Sequence, residues 1–168
     1  MPTLCDKFLA TMIAVPPLPG SPGYNGSNKA IIAQALSDLR HYVDAGVDAI
    51  VLENSHDVPY IRPPLPAAAI KVMREIALEA RSRFSGPIGI QMLEAANVTA
   101  LEIAAAARLD FVRVEGFVFA HVGGGNYRRL RRKAPAPPPT TRLRRHQDFR
   151  GCEEEALLAR AHGRSGHC

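Results

Sequence analysis

The sequence lacks tryptophan, and only 6% of its 168 residues are aromatic, which argues against a surface built on aromatic stacking. It also lacks any apolar segment of the roughly 20 residues that are needed to span a bilayer. The N-terminal stretch includes Asp6 and Lys7, where a secretory signal would have an uncharged apolar core. We therefore expect an intracellular, soluble protein without a membrane span, located in either the cytoplasm or mitochondria.

Cysteine is scarce as well. The three cysteines, Cys5, Cys152 and Cys168, are widely spaced and form neither a disulfide framework nor a C-x-x-C metal motif. We expect free thiols without a functional role.

Acidic residues are fewer than basic ones, but only in one part of the chain. The net charge of +5 comes from residues 128–164, whereas acids and bases are nearly balanced over residues 1–122. The arginines of the basic part lack the interleaved aromatic residues and the motifs of nucleic-acid-binding segments. No nucleic-acid partner is therefore expected.

Hydrophobic periodicity divides the first part of the chain into alternating strands and helices. Short apolar runs predict strands at residues 11–15, 48–53, 88–93 and 110–115. Apolar residues at helical spacing predict three helices between them, the first of them capped by Ser27 or Asn28. Such alternation with short connections is typical of a parallel sheet with right-handed crossovers.

Two α/β architectures have this element order, the (β/α)8 barrel and the doubly wound sheet. The doubly wound fold binds dinucleotides with a G-x-G-x-x-G loop after its first strand. Here Gly20-Ser21-Pro22-Gly23 stands in that place, and Pro22 removes an amide that a phosphate cradle would use.

The composition changes after His121. Three glycines are followed by a basic run, a proline-rich segment at residues 134–139 and a second basic run. Periodicity returns only at residues 153–160, so on composition this segment is expected to be irregular and disordered. We predict an α/β domain over residues 1–122 and a low-complexity basic tail over residues 123–168.

The polar residues that follow the second strand are the strongest candidates for a site. Parallel α/β proteins keep their sites at the carboxyl ends of the strands. We therefore predict Glu53 and Asp57 as catalytic residues. Asn54 and His56 are predicted to bind a ligand beside them, although His56 could also be a solvent-exposed loop residue.

The chemistry of this carboxylate pair stays open. Two carboxylates near an amide can act as acid and base, hold the hydroxyls of a sugar or bind a divalent metal, which is the one cofactor that we consider. A purely structural alternative is that Glu53 and Asp57 cap the following turn or pair with Arg62.

Three further ligand-binding residues are predicted on the neighbouring elements. Arg113 and Glu115 alternate on one face of the fourth strand, and arginine suits a phosphate or a carboxylate. The alternative is an internal ion pair between side chains that face the interior. Asn97 follows the third strand, where it could instead cap the next helix.

Several short motifs in this order resemble the BtpA family, whose members are (β/α)8 barrels named for a factor in photosystem I biogenesis. The motifs are Leu18–Pro22, Glu53-Asn54 with Asp57–Tyr60, and Asp110–Arg113; Glu115–Phe119 with His121 is similar to the animal branch. The resemblance covers about residues 11–122. It implies the N-terminal half of a TIM-type barrel, about four βα units, followed by an irregular tail.

The chain departs from the family pattern in two places. Ala14 stands where members usually have a histidine in the first strand, and nothing after Gly123 resembles the further βα units. The codons for Glu153–Glu155 and their neighbours, read one base later, permit a peptide similar to the family's K-K-K-H-x-x-H element. Out-of-frame translation is therefore one hypothesis for the tail, and a genuine divergent basic tail is the other.

The resemblance implies a function for the intact barrel, which would bind or process a small phosphorylated or sugar-like metabolite at the strand carboxyl ends. The alternative is a non-enzymatic biogenesis or stability factor for a membrane protein complex. For this chain we expect a truncated, inactive protein whose open sheet edges promote self-association.

Overall fold

The computed structural model describes residues 8–116 in full and, beyond them, the backbone of three two-residue strands. The elements in chain order are β1 (Ala10–Ala14), α1 (Asn28–Asp44), β2 (Ala49–Glu53), α2 (Ala67–Arg83), β3 (Ile88–Gln91), α3 (Asn97–Ala107), β4 (Phe111–Arg113), β5 (Arg142–Leu143), β6 (Ala156–Leu157) and β7 (Ala159–Arg160). The predicted α/β alternation is confirmed. The prediction of a disordered tail falls, apart from these three strands, outside the described residues.

The first four strands form a parallel sheet in chain order. Each strand pairs with the next one along the chain, so that Ala14 lies opposite Glu53, and Glu53 lies opposite Gln91. β6 pairs antiparallel with β4, while β5 and β7 form a separate two-stranded sheet. A doubly wound sheet reverses its strand order at a switch point. The uninterrupted order is that of a partial (β/α) barrel.

The three helices pack on one face of this sheet. Residues that alternate along the strands point toward the helices and are fully buried, among them Ile13, Ile50, Leu52, Ile88, Ile90 and Val112. The helices contribute larger residues such as Ile31 and Met73 together with many alanines, which let the backbones approach closely. The other face of the sheet therefore carries the remaining strand residues, including Glu53 and Gln91.

Local signals explain the ends of the first helix. Ser27 is the N-cap of α1, since its Oγ accepts a hydrogen bond of 3.2 Å from the amide of Ala30. Gly46 follows the helix with φ +75°, a conformation that glycine adopts without strain. Of the two predicted caps, Ser27 is the correct one.

Three strands end earlier than the sequence predicts, β1 by one residue and two others by two. β3 ends at Gln91 and β4 at Arg113, two residues before the predicted ends at 93 and 115. At the ends of β3 and β4, hydrogen bonds from side chains replace the backbone hydrogen bonds between strands. The peptide of Leu93 is hydrogen-bonded by the Asn54 side chain, and the amide and carbonyl of Glu115 are hydrogen-bonded by Asn97.

Candidate functional site

Asp57 joins the loops that follow β1 and β2. Its Oδ1 accepts a hydrogen bond of 2.7 Å from the amide of Leu18, and its Oδ2 accepts one of 3.0 Å from Asn54 Nδ2. Both carboxylate oxygens thus have protein partners. Within this geometry Asp57 holds the β1 loop in place, and its predicted catalytic role stays a prediction.

Asn54 extends the same connection to the end of β3. Its side chain is almost fully buried, donates to the carbonyl of Leu93 at 3.0 Å and accepts from the Leu93 amide at 2.7 Å. Because its Nδ2 also donates to Asp57, both amide hydrogens are used. Its predicted ligand-binding role is untested, but the atoms that would serve it are already engaged.

Asn97 plays the equivalent part at the end of β4. Its Nδ2 donates to the carbonyl of Glu115 at 2.7 Å, and its Oδ1 accepts from the Glu115 amide at 3.2 Å. The alternative prediction that Asn97 caps α3 is wrong, because Ala96 occupies the N-cap position and no side chain caps this helix. The Glu115 side chain accepts a hydrogen bond of 2.7 Å from the amide of Ala95, in the loop after β3.

Glu53 lies on the face of the sheet that is turned away from the helices. It is only 7% exposed, and its Oε2 lies 3.4 Å from Arg113 Nη1, while its Oε1 accepts a hydrogen bond of 3.0 Å from Ser55. The structure therefore contains an internal ion pair of Arg113, which was one of the two predicted alternatives. Its partner is Glu53 on β2, and Glu115 binds elsewhere.

His56 lies against the end of β1. Its Nδ1 is 3.1 Å from the carbonyl of Val15, and because a carbonyl only accepts, the ring nitrogen is the donor. The rest of the residue is exposed. His56 is thus both anchored and accessible.

Tyr60 lies next to the predicted site residues, and the sequence predicts no role for it beyond its place in the Asp57–Tyr60 motif. Its hydroxyl donates to the carbonyl of Ser55 at 2.8 Å. Burial, followed by the negative charges of Glu53, Asp57 and Glu115, raises the pKa of this hydroxyl above its ordinary 10.0. The structure therefore brings these three carboxylates, one at the end of β2, one after β2 and one after β4, into one neighbourhood around the phenol.

Two buried polar atoms near the strand ends lack a hydrogen-bond partner within residues 8–116, Ser21 Oγ and Gln91 Oε1. Neither was predicted from the sequence. A serine in a proline-rich loop does not indicate a binding role from the sequence alone. Gln91 becomes a candidate only when the strand register places it beside Glu53. Ser21 lines a cavity of about 150 Å³ between the loops after β1 and β2, together with Asn54 and Asp57.

A second cavity, of about 550 Å³, lies far from these residues, between α1 and Arg83 at the end of α2. It contains none of the predicted site residues. We place the candidate site at the strand carboxyl ends because the buried polar groups are there.

The described residues were searched for metal-binding clusters and for membrane-spanning helices. Within residues 8–116, no group of three or more His, Cys, Asp or Glu side chains is arranged to hold a metal ion. The same part of the chain contains no helix that is long and apolar enough to cross a bilayer.

A parallel sheet in chain order, with helices on one face and polar side chains at the strand carboxyl ends, defines a (β/α)-barrel type of protein. The chain belongs to the BtpA family, whose sequence profile matches residues 5–125.

Three curated relatives illustrate this membership. An uncharacterised mitochondrial protein of Caenorhabditis elegans is 40% identical over 119 residues, which are 66% of this chain and 42% of that protein. An uncharacterised Pyrococcus abyssi protein is 41% identical over 111 residues, again 66% of this chain and 42% of the relative. The photosystem I biogenesis protein BtpA of Synechocystis is 31% identical over 98 residues, 58% of this chain and 34% of the relative.

The chain thus spans less than half of the length of these relatives. No solved structure matches it.

Proposed function

We propose that the chain binds a small sugar-like or phosphorylated metabolite at the carboxyl ends of β2, β3 and β4, the function that an intact family barrel would combine with catalysis. The observation that carries this proposal is the buried carboxylate of Glu53, which Arg113 and Ser55 hold in a fixed orientation on the face of the sheet away from the helices. An oriented buried carboxylate can accept ligand hydroxyls or act as a base.

We assign different roles to the two predicted catalytic carboxylates. Glu53 would be the acid–base or ligand-holding group. Asp57 would position the β1 loop, since its Oδ1 accepts a hydrogen bond from the backbone amide of Leu18, whereas Ser55 and Arg113 bind Glu53 through their side chains. Because this chain spans less than half of the length of its curated relatives, we infer binding without turnover for it.

The remaining predicted residues fit around this centre. His56, which is exposed next to the end of β1, would contact the ligand from that side. Asn54 and Asn97 would hold the loops around the ligand in place. Arg113 and Glu115 would orient Glu53 and the loop after β3, respectively. A divalent metal has no support from a cluster of ligands within residues 8–116.

Binding is tested by titrating the full chain with small sugars, their phosphate esters and small carboxylates, and following heat release and melting temperature. We expect Glu53→Gln to weaken the binding seen with the natural chain by roughly tenfold, the effect of losing one charged hydrogen-bonding group. Glu75→Gln, which changes an exposed carboxylate on α2, is the matched control and should leave binding unchanged. Equal affinity of the Glu53 variant would contradict the proposal.

A second candidate function is a non-enzymatic role in the biogenesis or stability of a membrane protein complex. The name of the Synechocystis relative favours it, as do the exposed apolar side chains at the sheet edge, Phe8 at 67% and Leu9 at 59%. Co-purification of the tagged chain with detergent-solubilised membrane complexes would support this role if Phe8→Ser abolished it.

The cellular compartment of the chain is a separate proposal. We infer an intracellular protein, and the mitochondrial label of the Caenorhabditis elegans relative makes the mitochondrion the first compartment to examine. Imaging of the tagged chain in an animal cell distinguishes it from the cytoplasm.

A further inference from the structure

Four side chains form a row across the sheet on the face away from the helices. In the β1–β2 and β2–β3 registers, Ala14 lies opposite Glu53 and Glu53 opposite Gln91. The β3–β4 register pairs Ile90 with Val112, which places Arg113 beside Gln91. Paired residues of parallel strands project to the same face, so these four residues form one row at the carboxyl ends, and we call its three polar members, Glu53, Gln91 and Arg113, the polar row.

Gln91 lies in the middle of the polar row, between the two members of an ion pair. Neighbouring strands are about 4.8 Å apart, so Glu53 on β2 and Arg113 on β4 must reach across β3 to approach within 3.4 Å. The pair therefore spans the strand that carries Gln91.

Gln91 is only 6% exposed, yet its Oε1 has no donor within residues 8–116. A buried acceptor without a partner is unfavourable, and most buried polar atoms in folded proteins do have one. No donor among residues 8–116 accounts for a glutamine at this position. A ligand that donates a hydrogen bond supplies one.

The surroundings of Gln91 decide the charge of that ligand. Glu53 and Arg113 neutralise each other, so the polar row has no net charge. Asp57 and Glu115 lie near enough to act on the same phenol as Glu53, and they add negative charge beside the row. This field disfavours a phosphate or a carboxylate and accepts a neutral group that donates hydrogen bonds.

Gly89 and Phe111 lie on the same face, two residues closer to the amino ends of β3 and β4, and form an apolar surface beside the polar row. Gly89 pairs with Phe111, and the Phe111 ring occupies the space in which a side chain at position 89 would lie. The ring is only partly buried. A partly exposed ring beside a row of hydrogen-bonding groups suits a molecule with one apolar and one hydroxylated side.

We propose that Gln91 is a ligand-binding residue that, with Glu53 and above the Phe111 ring, selects an uncharged, hydroxyl-rich ligand over its phosphorylated form. This inference rests on the proposed function and narrows its substrate class. Gln91 Oε1 and Glu53 accept hydrogen bonds from ligand hydroxyls, and the carbon-bound hydrogens of the ligand lie against Phe111.

The test is a calorimetric titration of the full chain with glycerol, ribose and glucose, each compared with its phosphate monoester. We expect at least one neutral compound to bind and its ester to bind no more tightly. Gln91→Leu, which keeps the size of the side chain and removes the acceptor, should weaken that binding roughly tenfold. Gln34→Leu, an exposed glutamine on α1, is the matched control.

The unliganded variants distinguish a binding role from a structural one. If Oε1 has no partner in the free protein, Gln91→Leu should melt at the same temperature as the natural chain or a higher one. A clear drop in melting temperature would show that Gln91 is satisfied within the protein and would overturn the inference. Phe111→Leu, which keeps an apolar side chain but removes the ring, should also weaken binding of the neutral compound.

The outcomes separate this inference from the proposed function. Tighter binding of a phosphate ester, or unchanged binding by Gln91→Leu, would overturn the inference and leave the proposed function standing. Binding of no compound in any of the tested classes to the natural chain would overturn both.

Discussion

At the scale of single residues, backbone groups at the strand ends are satisfied by side chains that are distant in sequence. Asp48 accepts from the amide of Leu9 at 2.7 Å, and Asp110 accepts from the amide of Ile88 at 2.9 Å, both at the amino ends of strands. At the carboxyl ends, Asn54 binds the peptide of Leu93 in the same manner. Aspartates thus bind amides at the amino ends, whereas the rim that carries the site combines the carboxylates of Asp57 and Glu115 with asparagines, which can donate as well as accept.

Asn54→Ala tests how much one such residue stabilises the fold. The change removes hydrogen bonds to Leu93 and Asp57 and leaves partly buried backbone groups of Leu93 without these partners. We expect the free energy of unfolding to fall by roughly 2–4 kcal/mol. Asn28→Ala, at an exposed asparagine, should cost less than about 1 kcal/mol. Chemical denaturation compares the two, and equal losses would contradict the role of Asn54.

Tyr60 makes stability depend on alkaline pH. Its folded pKa is raised above the ordinary value of 10.0, so the protonated phenol stabilises the fold fully below that pH and the contribution is lost as pH rises through the folded pKa. We expect the stability of the natural chain to fall more steeply above pH 10.0 than that of Tyr60→Phe. Denaturation at a series of pH values measures this slope. Parallel curves for the two proteins would count against it.

At the scale of elements, periodicity predicted the four strands and the three helices. Ile50, Leu52 and Ile90 are buried where the apolar runs indicated. The same local pattern could not predict where β3 and β4 end. Those ends depend on Asn54 binding Leu93, 39 residues away, and on Asn97 binding Glu115, 18 residues away.

The candidate site also contains one residue that the local sequence could predict and one that it could not. Glu53 was predictable because a polar residue directly follows an apolar run, and its place at the end of β2 agrees with that reasoning. The importance of Gln91 was not, because it arises from the registers of three neighbouring strands, and single-residue patterns carry no register. The ion pair between Glu53 and Arg113 depends on those registers too.

Gly89 and Phe111 form a packing unit between β3 and β4. An added Cβ at position 89 would overlap the Phe111 ring, so the absence of a side chain on β3 admits the ring from β4. We expect Gly89→Ala to lower the free energy of unfolding by roughly 1–3 kcal/mol. In a Phe111→Leu background the loss should be smaller, because the overlapping atoms are gone. A double-mutant cycle measures this coupling, and additive effects would contradict it.

At the scale of the whole molecule, β1 is an edge strand. Among the strands that the structure describes it pairs with β2 alone, and Phe8 and Leu9 beside it are exposed. Free edges with apolar side chains favour pairing with another chain. We therefore propose that the chain self-associates through β1.

Leu9→Lys tests this self-association. Lysine at an exposed edge position disfavours strand pairing between copies without removing the hydrogen bonds of the Leu9 backbone. We expect sedimentation to show a shift from oligomer toward monomer for this variant. Leu78→Lys, at a leucine exposed on α2, is the control and should sediment like the natural chain. A monomeric natural chain would contradict the proposal.

The central claim is that the carboxyl ends of β2, β3 and β4 form a ligand-binding surface. Nuclear magnetic resonance of the isotope-labelled full chain, titrated with glycerol, ribose, glucose and their phosphate monoesters, tests it most directly. We expect a binding compound to shift the amide signals of Glu53, Gln91 and Arg113. Signals that move only along the other cavity, at Leu36, Arg40 and Arg83, or no shifts with any compound, would contradict it.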